Sequence, residues 1–278
     1  MTQHVEGTFP GAAGGSIFWQ KWEPAKPKAV VVIAHGLAEH SGRYGHVADR
    51  LNESGYAVYA LDHRGHGRSD GTPGNIERFP YLRGDLDSLL SQARGEHPGL
   101  PVFLLGHSYG GLIALDYLVA RGGSGLTGLC LSGAAVDPSV GSPVERAVAP
   151  LLSALVPNLG VVPLDAAAVS RDPLEVKKYV EDPLNYHGKI RARTGAESLS
   201  AVKRVVDGLG KVTLPVIVQH GTEDKLVSAA GSKMIAEKIG SHDKTLHLYD
   251  GLFHEIFNEP ERDRVLGDLV GWLDAHVV

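Results

Sequence analysis

Residues 102–120 read Val-Phe-Leu-Leu-Gly-His-Ser-Tyr-Gly-Gly-Leu-Ile-Ala-Leu-Asp-Tyr-Leu-Val-Ala, and they constrain the fold more than any other stretch. An apolar run suited to a buried strand leads into Gly106-His-Ser108-Tyr-Gly110, and a helical period follows at once. A serine at so sharp a strand-to-helix turn is pressed against neighbouring backbone, so the flanking positions need glycine. Its hydroxyl then projects above the strand end, at a helix N-terminus, where a nucleophile is wanted. The Gly-x-Ser-x-Gly pattern alone is weak in a chain with 35 glycines among 278 residues. A second match, Gly67-Arg-Ser69-Asp-Gly71, serves as an internal control. It follows the polar run His63-Arg64-Gly65-His66 and precedes Thr72-Pro73-Gly74, with neither strand nor helix beside it. Ser108 is the nucleophile candidate, and Ser69 is not.

The length suits one large α/β domain with an insertion and allows a substantial core. Hydrophobic residues at 43% and charged residues at 21% are ordinary for a soluble globular chain. A formal charge of −5 without a basic stripe argues against a nucleic-acid partner. Cys130 is the single cysteine, lies in the apolar run Leu126–Leu131, and reads as a buried small hydrophobe. The N-terminal Met-Thr-Gln-His-Val-Glu-Gly lacks the basic and apolar regions of a secretion signal. No apolar stretch reaches the roughly 20 residues of a spanning helix. The nearest, Val148–Val162, is broken by Pro150, Pro157 and Gly160. The expectation is a cytoplasmic protein, with peripheral membrane association left open.

Apolar runs at Val30–Ala34, Tyr56–Leu61, Val102–Leu105, Leu126–Leu131, Val216–Gln219 and Thr245–Tyr249 read as buried strands. Helical periods fit Arg43–Ser54, Phe79–Glu96, Tyr109–Arg121, Ala229–Ile239 and Glu261–His276. This alternation predicts a mostly parallel sheet with helices on both faces and ligands at the strands' carboxyl ends. Glu6–Phe9 and Ser16–Glu23 predict an antiparallel pair at one edge. The rhythm stops between about Val136 and Lys211, where prolines recur and no strand pattern is visible. A structureless loop of that length is unusual in a compact domain, so a helical cap over the active face is expected. The predicted division is core at 1–136, cap at 137–211 and core again at 212–278.

A serine hydroxyl needs a base, and the base needs an orienting carboxylate. After the strand ending at Gln219 comes His220-Gly-Thr-Glu-Asp224-Lys-Leu-Val, a polar turn on the same rim as Ser108. Glu223 is a chemical rival, but the Gly-x-x-Asp turn with an apolar residue following favours Asp224. After the last strand comes Asp250-Gly-Leu-Phe-His254-Glu-Ile-Phe, which puts His254 before the final helix as general base. Asp250 reads as a support for that loop. Two donors are needed where the oxyanion develops. Tyr109 supplies one backbone N–H, being the residue after the nucleophile, and Leu37, in the turn His35-Gly36-Leu37, is the choice for the other. His35, His40 and His46 do not share a face, and no metal site or cofactor is predicted.

Taken together these residues resemble the serine α/β-hydrolases, and more narrowly the monoacylglycerol lipases. The narrow likeness rests on His35-Gly-Leu-Ala-Glu39-His40-Ser-Gly-Arg43-Tyr44, on Asp62-His-Arg-Gly-His-Gly-Arg-Ser69 and on Gly106-His-Ser-Tyr-Gly-Gly111. It extends to Ser170-Arg-Asp-Pro, Asp182-Pro-Leu, His220-Gly-Thr-Glu-Asp224 and Tyr249-Asp-Gly-Leu-Phe-His254-Glu-Ile-Phe-Asn-Glu-Pro260, and so covers nearly the whole chain. The resemblance implies the α/β-hydrolase fold, an apolar tunnel under the cap for one fatty chain, and Glu39 and Arg43 beside the glycerol head. Read as residues alone, Glu39 and Arg43 are equally an ion pair at the start of a helix. Tyr109 departs from the methionine common in relatives after the serine, which bears on the acyl pocket.

The expected activity is hydrolysis of a monoacylglycerol, a small lipid substrate, through an acyl-enzyme. A short-chain carboxylesterase or lysophospholipase is the alternative, and a non-catalytic acyl-binding protein of the same fold is a third. Leucines and valines of Val148–Val162 suggest transient contact of the cap with lipid surfaces, or equally a cap core. Oligomeric state is not legible.

Overall fold

The computed structural model describes residues 2–277. The chain lays down β1 (Gln3–Pro10), β2 (Ser16–Glu23), β3 (Ala29–Ala34), α1 (Gly45–Glu53) and β4 (Tyr56–Leu61). It continues with α2 (Phe79–Glu96), β5 (Val102–His107), α3 (Tyr109–Arg121) and β6 (Gly128–Ser132). An insertion follows, made of α4 (Pro143–Leu155), β7 (Gly160–Val162), α5 (Pro173–Glu181), β8 (Ile190–Arg191) and α6 (Ala192–Gly208). The chain closes with β9 (Val216–Gly221), α7 (Ala229–Lys238), β10 (Lys244–Tyr249) and α8 (Arg262–Ala275).

Eight strands form one sheet in the order β1-β2-β4-β3-β5-β6-β9-β10. β1 and β2 join antiparallel at one edge, and every pairing from β4 to β10 is parallel. β3, β4, β5, β6 and β9 are buried along their whole length, so they read as continuous apolar runs. Successive residues of a strand serve opposite faces. Val30, Val32, Leu104 and Leu129 pack under α2 and α3, whereas Val31, Ile33, Phe103 and Cys130 pack under α1 and α8. Each such side chain contributes about 1.5–3 kcal/mol of burial.

Three local expectations are corrected. The helix expected from Arg43 opens as a 3-10 turn over Ser41–Tyr44, which the His40 side chain caps, and becomes α1 only at Gly45. β7 and β8 form a small antiparallel pair where no strand was visible, because two or three residues cannot show a period of two. α4 runs through Pro150, where a break was expected. Proline removes one helical donor and strains the preceding turn. The Ser142–Glu145 capping box secures the first turn, and α6 packs alongside. No helix among the described residues is long and apolar enough to cross a membrane.

Candidate active site

Ser108 sits between β5 and α3 with φ 51° and ψ −116°, a conformation costing a non-glycine residue roughly 1–3 kcal/mol. Its surroundings leave no alternative. A Cβ on Gly110 would stand 1.9 Å from the Ala34 carbonyl oxygen, and one on Gly106 2.6 Å from the Gly110 carbonyl oxygen. The Ser108 N–H donates to the Ser132 carbonyl at 2.8 Å, and the Ser108 carbonyl accepts from Ala135 N–H at 2.9 Å. The elbow is thereby bolted to the end of β6.

His254 Nε2, on the loop after β10, lies 2.8 Å from Ser108 Oγ, and His254 Nδ1 lies 2.6 Å from Asp224 Oδ2. With the Ser108 hydroxyl donating to Nε2 and Nδ1–H donating to the carboxylate, the imidazole has the tautomer a base requires. Asp224 Oδ1 accepts from the N–H groups of Leu226 at 2.8 Å and Val227 at 2.9 Å, and His220 Nε2 stands 3.0 Å from Oδ2. Burial works to raise the Asp224 carboxyl, but the bonds from His220 and His254 outweigh it and hold the group well below the usual carboxylate range. Burial works to lower His254, yet the bond and charge of Asp224, with Glu255 and Glu39 behind, raise it above its ordinary value. Glu223 is exposed, and the Asp250 carboxylate accepts from the Thr222 hydroxyl at 3.2 Å, away from the imidazole.

Leu37 follows β3, and its orientation is set by His35. The His35 Nδ1–H donates to the Gly36 carbonyl at 2.7 Å, and its Nε2 accepts from His63 N–H at 2.8 Å. Burial, followed by the nearby rings of His63 and His66, keeps His35 neutral and so preserves that tautomer. In a trans peptide the carbonyl and the next N–H point opposite ways. Holding the Gly36 oxygen against His35 therefore turns the Leu37 N–H away from the ring. Among the described residues, neither the Leu37 nor the Tyr109 N–H has an acceptor in the protein. Both residues line the same cavity as Ser108. The Tyr109 N–H also has the favourable end of the α3 dipole behind it.

The cavity measures about 650 Å³. Ser108 and His254 stand at its wall, and Leu112, Leu152, Leu199 and Val202 give it an apolar lining drawn from α3, α4 and α6. The buried Tyr109 ring packs 5.6 Å from Phe79, and its hydroxyl lies 2.9 Å from Ser198 Oγ on α6. Glu39 also borders this cavity, but its carboxylate is fully engaged by neighbours. Arg43 stands behind the wall, lining a separate small cleft, with its guanidinium bound to Glu39 and Glu255. A direct contact of Arg43 with a substrate head group, as the resemblance implied, does not fit that placement. Ser69 is structural: its hydroxyl donates to the Asp62 carbonyl at 2.6 Å and accepts from Phe18 N–H at 2.8 Å.

Two residues at the site were not singled out from the sequence. His220 and Glu255 sit inside motifs already quoted, but only the fold shows their side chains turned toward Asp224 and Arg43.

A family model described as serine aminopeptidase, S33, matches residues 25–261. A monoacylglycerol lipase of Mycolicibacterium smegmatis is 42% identical over 98% of both chains. The human monoglyceride lipase is 36% identical over 89% of this chain and 82% of its own length. Among solved structures, the monoacylglycerol lipase of Paleococcus ferrophilus superposes with a TM-score of 0.82 at 30% identity, covering 99% of each chain. The mostly parallel sheet, the strained serine turn and these whole-length likenesses agree, and the chain belongs to the monoacylglycerol lipase family of the serine α/β-hydrolases.

Proposed function

We propose that the protein hydrolyses monoacylglycerols to glycerol and free fatty acid, with Ser108 as nucleophile, His254 as general base and Asp224 as its orienting acid. The observation that carries this reading is the unbroken hydrogen-bond chain Ser108–His254–Asp224 at the wall of a large apolar cavity. Attack by Ser108 Oγ on the ester carbonyl passes its proton to His254 Nε2, and the N–H groups of Leu37 and Tyr109 receive the oxyanion. Glycerol leaves with the proton from His254. Water then repeats the sequence on the acyl-enzyme and releases the fatty acid. An oxyanion hole of this kind supplies about 3–4 kcal/mol of transition-state stabilisation per donor. Each methylene of the acyl chain buried in the cavity adds about 0.8 kcal/mol.

The insertion of residues 137–211 acts in this reading as a cap. Val144 and Leu155 are each 71% exposed, Leu151 59% and Leu159 51%, on the segment whose Leu152 and Val161 line the cavity. An apolar patch beside a mouth that receives a lipid fits a lipid surface as its partner. Among residues 138–165 the charged side chains are Glu145, Arg146 and Asp165, so the attraction is apolar rather than ionic.

Turnover of equimolar mono-, di- and triacylglycerols, a short-chain ester and a lysophospholipid tests the substrate. The highest kcat/KM is expected on the monoacylglycerol. A higher value on the short ester or the lysophospholipid replaces the reading, and turnover of none leaves a binding protein.

A further inference from the structure

A continuous set of buried polar contacts joins the loop carrying Leu37 to the loop carrying His254. The Gly36 N–H donates to Glu39 Oε1 at 2.6 Å, and the Tyr44 hydroxyl donates to the same oxygen at 2.7 Å. Arg43 Nη1 donates to Glu39 Oε2 at 2.7 Å and to Glu255 Oε1 at 2.6 Å, while Nη2 donates to Glu255 Oε2 at 2.7 Å. Glu255 is the residue after His254. Its Oε2 also accepts from Asn258 Nδ2 at 2.8 Å, and its N–H donates to the Val169 carbonyl of the insertion at 2.8 Å. The Tyr179 ring of α5 covers the guanidinium at 4.8 Å. Glu39, Arg43 and Glu255 are all nearly inaccessible to solvent.

Burial disfavours the charges of Arg43 and Glu255, yet their mutual attraction keeps both ionised, with Arg43 raised and Glu255 lowered. Buried ion pairs of this sort are poor sources of net stability, since an apolar set of the same volume often serves as well. What a two-pronged guanidinium–carboxylate pair does supply is geometry: two parallel bonds fix distance and direction together. The catalytic need matches. An oxyanion donor and a base on different loops must address one carbonyl within about 0.5 Å of their productive places.

We propose that Glu255 is a positioning residue for the hydrolytic step: through Arg43 and Glu39 it sets the spacing between the His254 imidazole and the Leu37 N–H. The inference rests on the serine-hydrolase reading of the site. Neither Arg43 nor Glu255 touches the reacting atoms. The cap seats on the same network through Tyr179 and Val169, so the spacing is set in a water-poor surrounding.

The test uses Glu255→Gln, Arg43→Met and the double variant, in the full chain. Readouts are monoacylglycerol turnover, thermal midpoint and affinity for a trifluoromethyl ketone that forms an oxyanion adduct. Glu255→Gln is expected to lower kcat by about 10–100-fold, with KM within about threefold and the ketone weakened by a similar factor. The double variant leaves no unpaired guanidinium but takes from Glu39 its cation, so it is expected to regain only part of the midpoint lost in Glu255→Gln and to stay slow. Recovery of both midpoint and kcat in the double variant overturns the proposal, as does a folded Glu255→Gln with kcat within about twofold of wild type. If Glu255→Gln does not fold, the double variant decides. Fluorophosphonate labelling of the wild type tests the underlying reading separately: no adduct at Ser108 sinks that reading, whereas an adduct with unimpaired variants sinks only the role of Glu255.

Discussion

His254 Nε2 lies 2.8 Å from Ser108 Oγ across a sequence separation of 146 residues. The sheet brings them together by ending β5 and β10 on one rim, and Asp224 after β9 completes the set. Ser108→Ala removes the proposed attacking atom and little packing volume. It should reduce kcat on the order of 10⁴–10⁶-fold while the thermal midpoint holds within a few degrees. Single-turnover and steady-state rates on the same preparation check this.

Ser69→Ala is the matched control and acts differently. Its loss strips the Phe18 N–H and the Asp62 carbonyl of a partner, costing about 1–3 kcal/mol. Denaturant unfolding should show that loss, with kcat close to wild type. A collapse of kcat in the folded variant would transfer the nucleophile to the second Gly-x-Ser-x-Gly.

The pH profile follows from the His254 environment. In the proposed mechanism the neutral imidazole is the proton acceptor, so kcat/KM should rise with pH through the His254 pKa and then level off. Asp224, Glu255 and Glu39 all raise that pKa, which sets the midpoint of the rise above the ordinary value of 6.5. His107, whose ring stands 5.0 Å away, is pushed down to about 3, chiefly by burial, and contributes no charge in this range. A midpoint well below 6.5 would mean that another group governs the step.

Gly110→Ala drives a methyl to within 1.9 Å of the Ala34 carbonyl oxygen, which is backbone and has nowhere to go. The elbow must open, at a cost of about 3 kcal/mol or more. Soluble yield and thermal midpoint should both fall. A variant with the wild-type midpoint would show that the turn is looser than its geometry implies.

For the cap, Leu151→Glu with Leu155→Glu places charge on two exposed side chains that lie outside the cavity lining. Co-sedimentation with neutral phosphatidylcholine vesicles should weaken by about 100-fold or more, at roughly 1.5–3 kcal/mol for each of the two apolar side chains withdrawn. Because the patch is nearly uncharged, wild-type pelleting should change little between low and high salt. Equal pelleting of variant and wild type would remove the docking role.

Much of this architecture was legible because its signals are local. Buried parallel strands are apolar throughout, and the turn at Ser108 needs glycines within two residues on either side, so both are written in consecutive positions. Ser108, Asp224 and His254 could be named because each stands just past a strand end, and strand ends share a rim. Arg43 and Glu255 were a different matter. They lie 212 residues apart; Arg43 reads as a neighbour of the head group or a partner of Glu39, and Glu255 only as part of the His254 loop, so their pairing exists only in the fold. The insertion was legible as an interruption, but β7 and β8 are too short for periodicity and Pro150 gave a false stop.

On the proposed mechanism Ser108 is the activated nucleophile of this fold. Peptide mapping by mass spectrometry after stoichiometric fluorophosphonate labelling of the folded protein tests it most directly. One adduct per chain is expected, on Ser108, formed at a rate that falls steeply in His254→Ala. An adduct on any other residue, or none on the folded chain, would contradict it.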